Sequence, residues 1–320
     1  MTMDRSVKIS AWRSTRLGLL MSAAFLCAFL QGRAQYKTDY RLERKLEQLI
    51  QPFHGQVGLY VLNVRTRREV AIQADTLFPT ASMIKIPIMI AMMHKIQDGA
   101  YTFHQNLLYR DSLLVPGVDI LGMARDSSYI ELSKVMMLMI TESDNTAASW
   151  LQRLVGSGDT VNSLLAGMGF RYTRLNSRTP GREANYRQYG WGQTTPREMA
   201  RLLLKIRQGE VVSPAASERM YRNLTHIYWD EVALSQIPPY VQAASKQGAL
   251  DDSRSEVVLV NAPHGDYVFC IDTKHLQDQS WSHRNQAWEL IRRVSSLLWN
   301  YYEPHYGWKP APGMANYAIE

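Results

Sequence analysis

Cysteine is scarce in this 320-residue chain, with only Cys27 and Cys270. Cys27 falls in an amino-terminal apolar stretch, so no disulfide is expected within the rest, and two thiols are too few for a structural zinc site. Cys270 stands in the apolar run Tyr267-Val268-Phe269-Cys270-Ile271, the setting of a buried core thiol. The eight histidines do not pair at metal-ligand spacing, so neither a metal nor a cofactor is expected. Neither phosphate-cradling glycine motif is present in full. The elbow Gly-x-Ser-x-Gly is missing as well, which argues against a Ser-His-Asp hydrolase. Apolar runs of about 20 residues, enough to span a membrane, are also lacking.

The longest apolar run, Leu17–Leu30, reads as something else. Arg5, Lys8, Arg13 and Arg16 precede it and Gly32-Arg33-Ala34 follows. That order describes a secretory signal peptide over residues 1–34, so export to the periplasm is expected, with no membrane attachment after cleavage. Leu26 is bulkier than the residue a lipid-attachment site at Cys27 usually takes. Four of the seven net positive charges lie in this segment, which carries five basic residues and one aspartate. The small remainder gives no basis for nucleic-acid binding. A monomer is expected.

What remains is long enough for one large domain. Leu42, Leu46 and Leu49 share a helix face. Val57–Val64 and Val70–Ile72 read as strands of a hairpin. From Ser82 to about Gln208 the periodic segments are helical: Ile86–Ile96, Leu132–Ile140, Ala147–Val155, Val161–Met168 and Met199–Ile206. Thr195-Pro196-Arg197-Glu198 opens the last with an N-cap, a first-turn proline and a capping-box glutamate. Strand texture returns at Tyr240–Lys246, Glu256–Val260 and Tyr267–Ile271, before a helix carrying Trp288, Ile291, Val294 and Leu298. The expected fold is α/β, an antiparallel five-stranded sheet flanked by terminal helices with an all-helical lobe inserted. The expected sheet lobe is 35–80 with 225–303, the helical lobe 81–224, and 304–320 an irregular tail.

Ser82-Met83-Ile84-Lys85 opens a helix, and residues three apart on a helix lie within mutual reach. Serine is a poor nucleophile until a base takes its proton, and lysine is that base only where burial and nearby positive charge lower its pKa. The spacing alone is weak, since one Ser-x-x-Lys is expected by chance in a chain of this length. Ser143-Asp144-Asn145 reads either as a capping turn or as a second hydroxyl for proton transfer with an amide for a substrate carbonyl. Lys246-Gln247-Gly248-Ala249 reads either as a solvated strand end or as a cation facing the serine, with a glycine that lets substrate approach.

The order of these three signals resembles the class A serine β-lactamases and the related penicillin-binding D,D-peptidases. Ile140–Ala148, Met168–Leu175 and Gln193–Ala200 resemble the same family. The resemblance implies that Ser82 opens a β-lactam or attacks a D-alanyl peptide, with Lys85 as base. It implies Ser143 and Lys246 in protonation of the leaving nitrogen, and Asn145 at a substrate amide. It also implies an oxyanion hole from the Ser82 and Ala249 N–H groups beside Gly248, and a place in antibiotic resistance.

The departures bear on turnover. The family's deacylating glutamate falls at Thr179, before Pro180, and threonine is no general base. Glu183, four residues on, is read either as an exchanged base or as a solvated carboxylate. The ionic brace of the loop is missing, with Ser177 and Gly192 at its positions. Gln247 replaces a hydroxyl that helps bind substrate carboxylate, a task for which Arg254 is the candidate cation.

Overall fold

The computed structural model describes residues 36–312; the signal-peptide reading and the end of the tail lie outside the described residues. From Thr38 onward the described residues belong to one unit. After the two-residue β1 (Lys37–Thr38), Asp39 caps α1 (Tyr40–Ile50) by accepting from the Leu42 N–H at 3.2 Å. The hairpin of β2 (Gln56–Asn63) and β3 (Arg68–Ile72) follows. β4 (Phe78–Pro79) leads through a 3-10 turn, Ala81–Ile84, into α2 (Lys85–Gln97). Every residue of α2 from Lys85 to Met93 is buried. A helix apolar on all sides can only be a core helix.

The lobe around α2 is not purely helical. It holds the hairpin β5 (Asn106–Leu108) and β6 (Tyr129–Glu131), then α3 (Leu132–Thr141), α4 (Asn145–Leu154) and α5 (Ser157–Gly167). β7 (Arg174–Leu175) and β8 (Gly192–Thr194) flank α6 (Glu183–Tyr189), and β8 also pairs with β4. α7 (Pro196–Arg207) starts where the capping box places it, with Thr195 Oγ1 accepting from the Glu198 N–H. α8 (Pro214–Leu224) repeats that grammar with Ser213 and Pro214.

β9 (Ala243–Leu250), β10 (Ser253–Val260), β11 (Tyr267–Lys274) and α9 (Gln286–Tyr302) complete the unit. The sheet order is β1-β3-β2-β11-β10-β9, so the five expected strands gain a two-residue sixth at the edge. Successive strand residues face opposite sides. Val257, Leu259, Val268 and Cys270 therefore pack toward α2 and α7. Val258, Val260, Phe269 and Ile271 meet Leu42, Leu46, Ile291 and Leu298 of the terminal helices. Each fully buried Leu, Ile or Phe contributes roughly 1.5–3 kcal/mol, so both faces must be covered.

Two boundaries correct the sequence reading. The strand expected at Tyr240–Lys246 runs from Ala243 to Leu250. Pro238 and Pro239 cannot donate to a ladder, so pairing starts beyond them. Lys246 consequently sits inside the strand rather than at its end. The strand expected at Glu256–Val260 begins at Ser253, so Arg254 is the second residue of β10.

Candidate active site

Ser82 occupies the 3-10 turn between β4 and α2, and Lys85 is the first residue of α2. Their spacing leaves Lys85 Nζ 3.1 Å from Ser82 Oγ. Lys85 also meets Ser143 O at 2.5 Å, Ser143 Oγ at 3.1 Å and Asn145 Oδ1 at 2.9 Å. Ser143 lies between α3 and α4 with φ +62°, and Ala81, just before Ser82, has φ +43°. Non-glycine residues in the left-handed region cost on the order of 1 kcal/mol or more and persist where the surroundings enforce them. Here the enforcement is visible: buried Asp144 caps α4 through the Ala147 N–H and grips the Ile120 and Leu121 N–H groups with its other oxygen.

From the sheet, Lys246 brings its Nζ to 3.0 Å from Ser143 Oγ. One hydroxyl therefore links two buried lysines. Burial pulls the Lys85 amine well below its ordinary pKa, and the positive charge of Lys246 adds to this, against Asp144. Burial likewise pulls Lys246 down to about 7, with Glu256 opposing. A neutral amine beside a serine hydroxyl can take its proton.

The remaining residues are placed less as expected. Asn145 is engaged at both ends, since its Nδ2 donates to Pro116 O at 3.3 Å. Gly248 has a structural reason of its own. A Cβ there would lie 2.3 Å from Thr80 O and 2.6 Å from Ser255 Oγ, so the glycine lets β9 pass against the turn that carries Ser82. Ala249, the next residue, packs toward the terminal helices with its side chain. Gln247 Nε2 donates to Trp229 O at 2.9 Å.

Arg254 is a correction. It is fully buried, donates to Ser253 O at 2.9 Å and Ser280 O at 2.7 Å, and lies against the rings of Trp281 and Trp288. Its Cα partner is Ala249, whereas Ser255 pairs with Gly248 on the face toward Ser82. Strand alternation turns Arg254 away from the site, and the proposed carboxylate cation is lost with it.

The loop positions make contacts of their own. Buried Thr179 turns its hydroxyl to Leu175 O and Ser177 O, not to the cluster. Glu183 is exposed at the start of α6 and accepts from the Gly181 N–H at 3.1 Å. Among the described residues, no carboxylate hydrogen-bonds to Ser82, Lys85 or Ser143.

Neutral pairs replace the missing brace. Ser177 Oγ donates to Gln152 Oε1 at 2.9 Å, and Gln152 Nε2 donates back to Ser177 O at 2.6 Å. Arg182 ties Asn176 Oδ1 to Gln193 Oε1, each at 2.8 Å. An aspartate at Gly192 would not fit, since a Cβ there already meets Ile84 and Thr80 within 2.7 Å. A separate cavity of about 290 Å³, lined by Leu49, Phe53, His54, Leu290 and Arg293 among others, shares no residue with the cluster.

A sheet backed by terminal helices, an inserted lobe, and a serine-lysine pair at their junction define the class of β-lactamase- and transpeptidase-like enzymes. Residues 41–302 match the family model of the Beta-lactamase enzyme family. The chain belongs to that family and is a β-lactamase-like hydrolase. It is 22% identical over 297 residues to Beta-lactamase VEB-1 of Pseudomonas aeruginosa, covering 89% of this chain and 97% of that one. The structure of PBP-A is similar at 27% identity and a TM-score of 0.74, covering 84% of this chain and 98% of PBP-A. A mutant of PBP-A has been solved as an acyl-enzyme complex with penicillin G. The fold is also that of the β-lactamase of Sphaerobacter thermophilus, at 24% identity and a TM-score of 0.72, over 82% and 96% of the two chains. Among the described residues, no helix is long and apolar enough to cross a membrane.

Proposed function

We propose that the chain opens β-lactam rings by acyl transfer to Ser82. The observation that carries this is the chain of contacts from Ser82 Oγ through Lys85 Nζ and Ser143 Oγ to Lys246 Nζ, each link at 3.0–3.1 Å. Lys85, its pKa pulled down by burial, takes the Ser82 proton as Oγ attacks the lactam carbonyl. The amide C–N bond breaks, and the departing nitrogen takes a proton from the Ser143 hydroxyl, which Lys85 or Lys246 then restores. The Ser82 and Ala249 N–H groups receive the developing oxyanion. Such a donor contributes about two to three orders of magnitude in rate.

Lys246 holds the substrate carboxylate, since Arg254 does not reach it. Export through residues 1–34, a catalytic domain over 35–303 and a monomeric state belong to the same reading.

The second step is the weak one. Thr179 and Glu183 are both turned elsewhere, which favours a second reading in which the acyl-enzyme persists, as in a penicillin-binding D,D-peptidase or a protein acylated once. Mixing the protein with a chromogenic cephalosporin, and following colour and intact mass together, tests both. Many turnovers, abolished in Ser82→Ala, support hydrolysis. A burst of about one equivalent with a lasting mass adduct supports the persistent acyl-enzyme. Neither colour nor adduct overturns acyl transfer to Ser82.

A further inference from the structure

Gln247, the residue after Lys246, donates from Nε2 to Trp229 O at 2.9 Å. The Trp229 indole N–H donates in turn to Glu142 O, also at 2.9 Å, and Glu142 is the residue before Ser143. Trp229 therefore joins, through two hydrogen bonds, the turn that carries Ser143 to the strand that carries Lys246. It lies in the irregular segment after α8, half-buried against the core around α2. The same segment ties to the turn a second time, from the Tyr228 N–H to Thr141 O at 3.1 Å. The Tyr228 ring meets the Trp229 ring edge-on, with centroids 5.2 Å apart.

Both ends of this bridge need holding. β9 is the last strand of its sheet, so no further strand braces its outer edge among the described residues. Ser143 has φ +62°, a conformation that persists where its surroundings enforce it. Rotation about φ turns the Ser143 side chain relative to the peptide plane that contains Glu142 O. A donor held on Glu142 O fixes that plane, and with it the direction of Ser143 Oγ. Asp144 secures the far side of the turn through the Ile120, Leu121 and Ala147 N–H groups, and Trp229 secures the near side. The 3.0 Å contact of Lys246 Nζ with Ser143 Oγ spans the two elements that the bridge joins.

We propose that Trp229 and Gln247 are positioning residues that strap β9 to the Ser143 turn and so set the contact between Lys246 and Ser143. This deepens the acyl-transfer reading and rests on it for its catalytic meaning. Both residues act through Ser143 and Lys246, so their effect falls on the step that needs Ser143, protonation of the leaving nitrogen.

The test compares two acyl donors that differ in that need. With benzylpenicillin, Ser82 Oγ bonds the carbonyl carbon and its proton goes to Lys85. The C–N bond breaks, and the nitrogen takes the Ser143 proton. With benzoylglycyl thioglycolate the same Ser82 bond forms, but the C–S bond breaks and the sulfur departs with the electron pair as thiolate, needing no proton. Both donors carry a carboxylate, so whatever binds it is common to them. The second-order rates of ring opening and of thiol release are measured on the full chain and its variants. In Gln247→Leu and in Trp229→Phe the ratio of the first rate to the second should fall by about tenfold. A fall of less than about threefold overturns the proposal, because a merely structural loosening slows both donors alike.

If Trp229→Phe does not fold, Gln247→Leu, altered at a half-buried position on the sheet edge, carries the measurement. If neither donor reacts with the unaltered chain, the acyl-transfer reading fails and geometry decides the strap. The crystal structure of Gln247→Leu should show Ser143 Oγ beyond hydrogen-bond distance of Lys246 Nζ, and a contact kept at 3.0 Å overturns the proposal.

Discussion

Gly248→Ala tests whether the approach of β9 to the Ser82 turn is what assembles the site. The added Cβ would stand 2.3 Å from Thr80 O. Ser255 Oγ, at 2.6 Å, can rotate away, but Thr80 O is backbone and is fixed by its place two residues before Ser82. Relief requires β9 and the turn to part by at least about 0.7 Å, taking 3.0 Å as the nearest tolerable contact. Overpacking of this kind costs typically 1–3 kcal/mol. In a chain of this size that is a fall in Tm of about 2–6 °C.

The functional effect should be the larger one, because Lys246 is on β9 and Ser82 is on the turn. A displacement near 1 Å can cost about a hundredfold in rate. Calorimetry and the second-order rate of penicillin labelling, measured on one preparation, give both numbers. A Gly248→Ala protein that labels within threefold of the parent, at an unchanged Tm, would refute the argument and return Gly248 to a role in admitting substrate.

Other expected outcomes rest on single contacts. Glu183→Gln should leave deacylation unchanged, because Glu183 is exposed and bonded to the Gly181 N–H; loss of deacylation with intact acylation, seen by mass, would restore it as the exchanged base. Ser177→Ala should destabilise by about 1–3 kcal/mol in urea unfolding, since it leaves buried Gln152 Oε1 without its donor. Asp272 is fully buried, its Oδ1 has no partner, and burial pushes its pKa up to about 7 against an ordinary 3.8. Between those values the folded chain binds the proton the unfolded chain has lost, so this group's contribution is full below 3.8 and fades as pH rises through 7. Asp272→Asn should therefore flatten the decline of Tm between pH 4 and 7, and an unchanged slope would contradict the assignment.

The sheet and helices were legible because their signals are local. Alternating apolar residues in β2, β10 and β11, and the cap of Thr195 with Pro196 and Glu198, act within a few residues of themselves. α8 carried the same kind of signal in Ser213-Pro214. α6 did not, for Glu183–Tyr189 has a single buried residue, Tyr189, and no apolar stripe to read. The convergence of Ser82, Lys85, Ser143 and Lys246 was legible only as a resemblance. No periodicity reports that Lys85 and Ser143, 58 residues apart, share a hydrogen bond.

What the sequence hid is decided by parity and by closeness. Arg254 and Ser255 are adjacent in the chain, yet the pleat sends one to Trp281 and Trp288 and the other toward Gly248. A slip of one position along β10 is therefore enough to aim the wrong side chain at a substrate. Closeness is hidden in the same way, for no local pattern reports that Thr80 O, 168 positions away in the chain, would stand 2.3 Å from a Cβ at Gly248.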